Sequence, residues 1–304
     1  MKKIFLSIVV AASFGFFTAC SEDESEPTLE ELCATGLNED CLVGTWNLKW
    51  FPSGRAEHRA SPRVEAANIR DAAEVIRGGL KGKGRILFLQ ELRDPLSCSN
   101  LVLAVGGKKL QVAVATAYRD FRDNRLEWQQ LAIVTDLPVL ETEWKYAKKA
   151  NGMFVPRGYA YALLDGGKEG RIACFCVHLK SNYGANKPEM KAANVVKRTS
   201  MIRQVLEAAK KVSADRILIA GDFNADRFHR SFKDEKIFSM LANTGFSDAW
   251  EGLPLSARGT HPGNSRYPDS TIDYVFFRGF DGCKGQSLAP VHPVSDHRLA
   301  VMEF

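Results

Sequence analysis

The chain has 304 residues, 45% of them apolar and 25% charged, with a net charge of +5. This is globular composition: it excludes collagen, coiled coil and wholesale disorder, and allows one large α/β domain or two small ones. Seven cysteines without a CxxC pair are too few for a disulfide scaffold and lack the usual structural zinc spacing.

Residues 1–19 read as an export signal. Lys2 and Lys3 form its charged end and Ile4 to Phe17 an apolar stretch of 14 residues, short of the roughly 20 that a bilayer span needs. Phe17-Thr18-Ala19-Cys20 resembles a bacterial lipobox, in which the cysteine is lipidated and becomes the new N-terminus, although Phe17 stands where that pattern prefers Leu. Cys20 is therefore the expected lipidation site, with an ordinary signal cleaved nearby as the alternative. Residues 20–40 carry eight acids and no Lys or Arg. They are too poor in apolar residues to pack and read as an acidic tether. An acidic run after a lipid cysteine also resembles the surface-export signal of some Gram-negative lipoproteins. The expected location is the bacterial cell envelope, lipid-anchored, in the outer membrane or at the cell surface. No later stretch has 18 consecutive apolar residues.

Residues 41–304 hold 39 Lys+Arg against 28 Asp+Glu, a net of +11, so a basic body follows the acidic stalk. Export permits disulfides. Cys33 and Cys41 close a short loop and are the first pair to consider among the 15 pairings that six cysteines allow. Cys174 and Cys176 should not pair, because i,i+2 neighbours on a strand lie about 6.5–7 Å apart.

The body reads as one domain without an internal boundary or repeat. Short apolar runs predict strands over Leu42–Leu48, Ile86–Leu92, Leu110–Tyr118, Gln130–Thr135, Tyr159–Leu164, Arg171–Leu179, Arg216–Phe223, Thr271–Phe277 and Arg298–Phe304. Helical patterns cover Pro62–Arg77 and Pro188–Lys211, each with a proline near its first turn, and a shorter helix is expected near Phe232–Asn243. Strands with interspersed helices imply sheets packed together and covered by helices. The glycine-rich stretch from Gly78 to Gly84 precedes a strand and lacks a Gly-Lys-Ser/Thr ending, so it reads as a helix stop and turn.

Several apolar runs end in carboxylates, amides or histidines, where a packed core wants none. Ile217–Ala220 runs into Gly221-Asp222-Phe223-Asn224, which puts Asp222 and Asn224 on one face of an extended chain. Such a pair can grip a water, a metal or a phosphate oxygen; alone it is more often a polar turn. Glu91 ends another run, Asn47 lies inside a strand, and His178 ends an alternating row with Cys174 and Cys176. Asp273 heads an apolar strand and must be paired or neutralised. Ser295-Asp296-His297 precedes the last strand and alone would be an Asx-type turn with an exposed histidine.

Asn47, Gln90-Glu91, Arg157-Gly158, His178-Leu179-Lys180-Ser181, Gly221-Asp222-Phe223-Asn224, Ile272-Asp273-Tyr274 and Ser295-Asp296-His297 occur in the order found in the endonuclease/exonuclease/phosphatase superfamily. From about residue 42 to the C-terminus the chain resembles that family. Glu91-Leu92-Arg93-Asp94 and Gly221–Asp226 are most similar to its pancreatic-type deoxyribonuclease branch, and His178–Asn182 to bacterial secreted members. The resemblance implies an α/β fold, a four-layer α/β/β/α sandwich of two mixed sheets covered by helices. It also implies metal-dependent hydrolysis of a phosphate ester, with Mg²⁺ as the expected ion and Mn²⁺ or Ca²⁺ as alternatives.

The roles that the resemblance implies follow from phosphodiester chemistry, which needs an activated water and cover for negative charge. Glu91 with Asn47 holds the metal, and Asp296 contributes to the same or a second metal position. His297 is a general base or charge stabiliser oriented by Asp273. Asp222 and Asn224 position the water and a phosphate oxygen, His178 faces the phosphate from the other sheet, and Arg157 clamps an oxygen. In pancreatic-type nucleases an acid orients the strand histidine. Here Gln129 stands at that place with Glu127 two positions earlier, which leaves the support of His178 open. Three functions compete: a nuclease, favoured by the basic body; a phosphatase or phosphodiesterase on lipid headgroups or small molecules; and a silent surface lipoprotein that binds a partner. The expected partners are a phosphate-ester substrate, foremost nucleic acid, and a membrane held through Cys20, with the chain a monomer.

Overall fold

In the computed structural model, residues 41–81, 84–106, 110–263 and 268–304 are described. The export signal, Cys20, the tether and Cys33 lie outside the described residues. Among those described, no helix is long and apolar enough to cross a membrane.

Twelve strands are described in chain order: β1 (Leu42–Phe51), β2 (Arg85–Leu92), β3 (Gln111–Ala115), β4 (Gln130–Thr135), β5 (Val139–Tyr146), β6 (Gly158–Asp165), β7 (Arg171–His178), β8 (Arg216–Asp222), β9 (Ser247–Asp248), β10 (Asp273–Arg278), β11 (Gly285–Leu288) and β12 (Ala300–Glu303). The helices are α1 (Pro62–Gly79), α2 (Pro95–Val105), α3 (Pro188–Ala209), α4 (Ile237–Ala242) and α5 (Leu255–Arg258). The strands form two six-stranded sheets, ordered β11-β12-β1-β2-β4-β3 and β5-β6-β7-β8-β10-β9. Each is mixed: β1–β2 and β7–β8 are parallel, and the other pairs antiparallel.

Alternation sorts the side chains into layers. Leu87, Leu89, Ala132 and Val134 of the first sheet share an apolar cluster with Ala72, Ala73 and Ile76 of α1 and Leu101 of α2. Their neighbours Ile86, Phe88, Leu131 and Ile133 belong to a larger cluster that includes the second sheet. Cys176 meets the first sheet, its thiol lying 3.5 Å from Leu89 O, so Ala173 and Phe175 face the other way. Met201, Ile202 and Val205 of α3 join them in the core. The outcome is the expected sandwich, with helices over both sheets. Cys174 and Cys176 do not pair with each other, as expected, and both are free thiols among the described residues.

The elements that sequence patterning overlooked have local explanations. β5 is an edge strand whose middle residues are exposed, so it carries no apolar run. β11 is also an edge, and β9 has two residues. Helix α2 starts at an Asp94 cap, whose carboxylate accepts from Ser97 N at 2.7 Å, with Pro95 following; its mostly apolar sequence hid the helical period. β3 stops short of Tyr118 because the Gln130 side chain accepts from both Thr116 Oγ1 and Tyr118 N at 2.8 Å, drawing the chain off the sheet.

Candidate active site

Strand register brings the polar residues together. In the second sheet His178 on β7 is level with Asp222 on β8, and Asp222 with Asp273 on β10. In the first, Asn47 on β1 is level with Gln90 on β2. Beyond those positions both strands bulge, with Lys49, Trp50 and Glu91 at φ of 48°, 51° and 61°. Non-glycine residues held there are strained; here the bulges let Glu91 Oε2 accept from Trp50 N at 3.0 Å while Oε1 turns to Asn47. Gly221 has φ 145°, and a Cβ there would collide with Val177 O. Only glycine allows β8 to approach β7 this closely just before Asp222.

The sheets meet at Asn47. Its amide Nδ2 donates to Asp222 Oδ2 at 2.9 Å and Glu91 Oε1 at 3.2 Å, and its Oδ1 accepts from Lys49 N at 3.0 Å. A core asparagine satisfied by backbone alone would not bridge two carboxylates. His297 is buried, and its Nδ1 lies 2.8 Å from Asp273 Oδ2. Its loop is stapled to β1: Ser295 Oγ donates to Asn47 O at 2.6 Å, His297 N to Ser295 Oγ at 3.0 Å, and Trp46 Nε1 to His297 O at 3.0 Å. His178 Nε2 faces Asp222 at 3.5 Å and Glu91 at 3.8 Å.

Burial and neighbouring charge distribute the protons. Burial, then the charge of Asp273, pushes Asp222 up to about 7 against the pull of His297, Asn47 and the Asn224 N–H. Burial alone would lower His297, but Asp273 first, then Asp222 and Asp296, outweigh it and raise the imidazole to about 10. His178 goes the opposite way, well below 6.5, through burial and the charges of Arg157, His297 and Lys180. Near neutral pH the site therefore holds an imidazolium at His297, a neutral imidazole at His178, and an Asp222 poised to take or release a proton.

Three expectations need correction, for Arg157, Asp296 and Asn224, and the open support of His178 is answered. Arg157 does not present a phosphate clamp. Its guanidinium is buried and donates to His178 O at 3.1 Å, Leu179 O at 3.2 Å and Gln129 Oε1, so it braces the end of β7 from behind. Gln129 supports Arg157, not His178, whose Nδ1 is buried without a hydrogen-bond partner among the described residues. Asp296 lies 3.2 Å from Lys49 Nζ, with both side chains at least 40% exposed; that ion pair, not a ligand cluster, holds it. Asn224 is a brace: its N–H donates to Asp222 Oδ1 at 2.8 Å and its Nδ2 to Leu179 O at 3.1 Å. His297 is buried and paired with Asp273, unlike the exposed histidine of an isolated Asx-type turn.

Other contributors escaped the sequence reading. His261 packs edge-on against His297 with ring centroids 5.0 Å apart, and Thr260 Oγ1 accepts from Asp273 N at 3.1 Å. Both sit in a Pro/Gly-rich stretch, and long-range ties carry them to the site: the bridge between His261 and Ser270 and the bonds that Thr260 accepts from Ile272 N and Arg298 N. Lys180 is half-buried and lowered to about 8 by burial and by Arg157, Lys197 and Arg198.

The donors present fit a hard divalent cation. Glu91 offers a carboxylate with 13% side-chain exposure, and Asp273 Oδ1 is buried without a hydrogen-bond partner among the described residues; Asn47 turns its Nδ2, not its Oδ1, to Glu91, so its amide must rotate to bring an oxygen to the ion. Oxygen donors with room for water are what such an ion takes. Asp222, Asp273 and His297 also place ligand atoms within 4.8 Å of one another, but the proton on His297 competes with a cation there.

Residues 193–297 match the Endonuclease/Exonuclease/phosphatase family. Solved structures of similar fold include an endonuclease/exonuclease/phosphatase from Beutenbergia cavernae (TM-score 0.64, 20% identity, covering 87% of this chain and 71% of that one). Another from Bacteroides vulgatus has TM-score 0.62 and 13% identity, covering 87% and 98%. Truncated TDP2 from Caenorhabditis elegans has TM-score 0.58 and 17% identity, covering 87% and 97%. No curated protein matches the chain. The family match over residues 193–297 agrees with the superfamily read from the motifs, and the solved structures share its fold.

Proposed function

We propose, from the premise that the chain belongs to the endonuclease/exonuclease/phosphatase superfamily, that it is a metal-dependent phosphoesterase. Its reaction is water attack on a phosphodiester, and nucleic acid is the substrate class. The observation that carries this reading is the bridge from Asn47 to Glu91 and Asp222, set beside the His297–Asp273 pair. It supports the reading because oxygen donors that could hold a cation, a carboxyl group titrating near neutrality and a fixed positive charge stand together, as phosphoryl transfer needs. The basic body, +11 over residues 41–304, favours a polyanion.

Asp222 takes the proton of the attacking water as the new P–O bond forms, and Asn47 and Asn224 hold its carboxylate in line. Asp273 fixes the His297 ring and keeps it charged, so that the imidazolium covers an oxygen of the phosphoryl group as the ester P–O bond breaks. His178 closes the floor between Asp222 and Glu91. Arg157 holds the backbone at His178 and Leu179, and Lys180 supplies the positive charge expected from Arg157. A divalent cation held by Glu91 and Asn47 would supply charge neutralisation for the phosphate oxygens. Export and attachment through a lipid on Cys20 belong to the same proposal and place this chemistry in the cell envelope.

Hydrolysis of plasmid DNA, RNA, bis-p-nitrophenyl phosphate and p-nitrophenyl phosphate, each with Mg²⁺ or with EDTA, tests it. Metal-dependent cleavage of the diesters is expected. Cleavage of the monoester alone would point to a phosphatase, and activity on none would leave the binding lipoprotein ahead.

A further inference from the structure

We propose that Trp50 and Trp128 form a stacking shelf for a nucleobase next to the phosphate site, which makes an unpaired strand the preferred substrate. This deepens the reading above and rests on it. Trp50 leaves the site directly: its backbone N–H donates to Glu91 Oε2 at 3.0 Å, and its ring meets Trp128 with centroids 6.2 Å apart and His58 at 5.9 Å. His58 in turn lies 3.2 Å from Trp128 O, so the three groups are tied into one unit. Trp128 is 44% exposed, although burying an indole is strongly favourable. The two indoles line a cleft of about 320 Å³ with Glu127 and Gln129.

The charges around this cleft disfavour a second phosphate site, because three acids outnumber two arginines. Arg122 is bound to Asp120 and Arg125 to Asp123, each through its guanidinium, and Glu127 adds a carboxylate to the lining. What the cleft offers is flat aromatic surface with hydrogen-bond acceptors at its edge, which suits a neutral heterocycle bearing N–H groups. Its position beside Glu91 ties that ring to the phosphate being cleaved. A base in a duplex keeps its faces against its neighbours, so only an unpaired one can stack on protein rings. The same loop carries Phe121, 78% exposed and 5.6 Å from Phe154, which makes a lipid surface the outcome to test against.

The test is binding in EDTA, where no metal-dependent cleavage intervenes. Three probes are titrated against wild-type protein, Trp128→Ala and Trp128→Phe: a labelled single-stranded octanucleotide, the same backbone without bases, and phosphatidylglycerol vesicles. Wild type is expected to prefer the base-bearing strand by about 5- to 150-fold, the range for one stacked base. Trp128→Ala should abolish that preference and Trp128→Phe keep most of it, while the His58 contact, made to a backbone carbonyl, survives in both. Equal wild-type affinity for the two strands overturns the proposal, as does vesicle binding that Trp128→Ala alone removes. Preference for bases without any cleavage when Mg²⁺ is restored would count against the phosphoesterase reading and leave the shelf standing; cleavage without that preference does the reverse.

Discussion

Replacing Asp273 with Asn isolates the charge that governs His297. The side chains are nearly the same size, so the buried site keeps its packing while the imidazole loses its anionic partner at 2.8 Å. The interval between 6.5 and about 10 for His297 corresponds to roughly 5 kcal/mol of preference for the imidazolium, at about 1.4 kcal/mol per tenfold change. Asp273 is the first of the groups that raise it, with Asp222 and Asp296 behind. With Asp222 and Asp296 left to oppose burial, His297 in the variant should titrate well below about 10. Turnover at pH 7 should fall by about 10²- to 10⁴-fold, the usual worth of a positioned proton-bearing group. The assay is kcat/KM against pH on bis-p-nitrophenyl phosphate with Mg²⁺, alongside NMR titration of the His297 ring. Stability provides an independent sign. A histidine raised on folding stabilises fully below its unfolded value near 6.5 and loses that contribution as pH climbs through about 10. The melting-temperature gap between wild type and variant should therefore be widest near pH 6 and narrow toward pH 10. An unchanged His297 titration in the variant would refute the reasoning, whatever happened to activity.

Glu91→Gln should raise the Mg²⁺ concentration for half-maximal activity at least about tenfold, since a neutral amide replaces the reachable carboxylate; superimposable Mg²⁺ titrations would remove Glu91 from the metal. Wild-type kcat/KM should rise with pH through about 7, as Asp222 releases its proton, and decline near 10 as His297 loses its own. Asp222→Asn should lose the lower limb and several orders of magnitude in rate, and a variant that retains that limb would assign it elsewhere. Arg157→Ala should destabilise the protein by roughly 2–4 kcal/mol in denaturant titrations, because the His178 carbonyl loses its guanidinium donor and Leu179 O keeps only that of Asn224. A variant of wild-type stability with weakened substrate binding would restore the phosphate clamp.

Much of this molecule is legible in one dimension. Buried strands need apolar side chains on both faces, so Ile86–Leu92 and Arg216–Phe223 stand out, and a carboxylate or amide closing such a run is conspicuous at Glu91, Asp222 and Asn224. Glycine before Asp222 is dictated by the close approach to Val177 O, which is why the motif itself can be read. What folding alone decided is who faces whom. Trp46 and His297, 251 positions apart, share a hydrogen bond. Arg157 turns inward to backbone carbonyls, Asp296 outward to Lys49, and Asn47 joins two acids from different sheets. The protonation of His178 and His297 diverges for the same reason. Both are buried, but one neighbours Arg157 and the other Asp273. Proton affinity depends on burial and on charges a few ångströms away, and neither distance exists until the two sheets have packed.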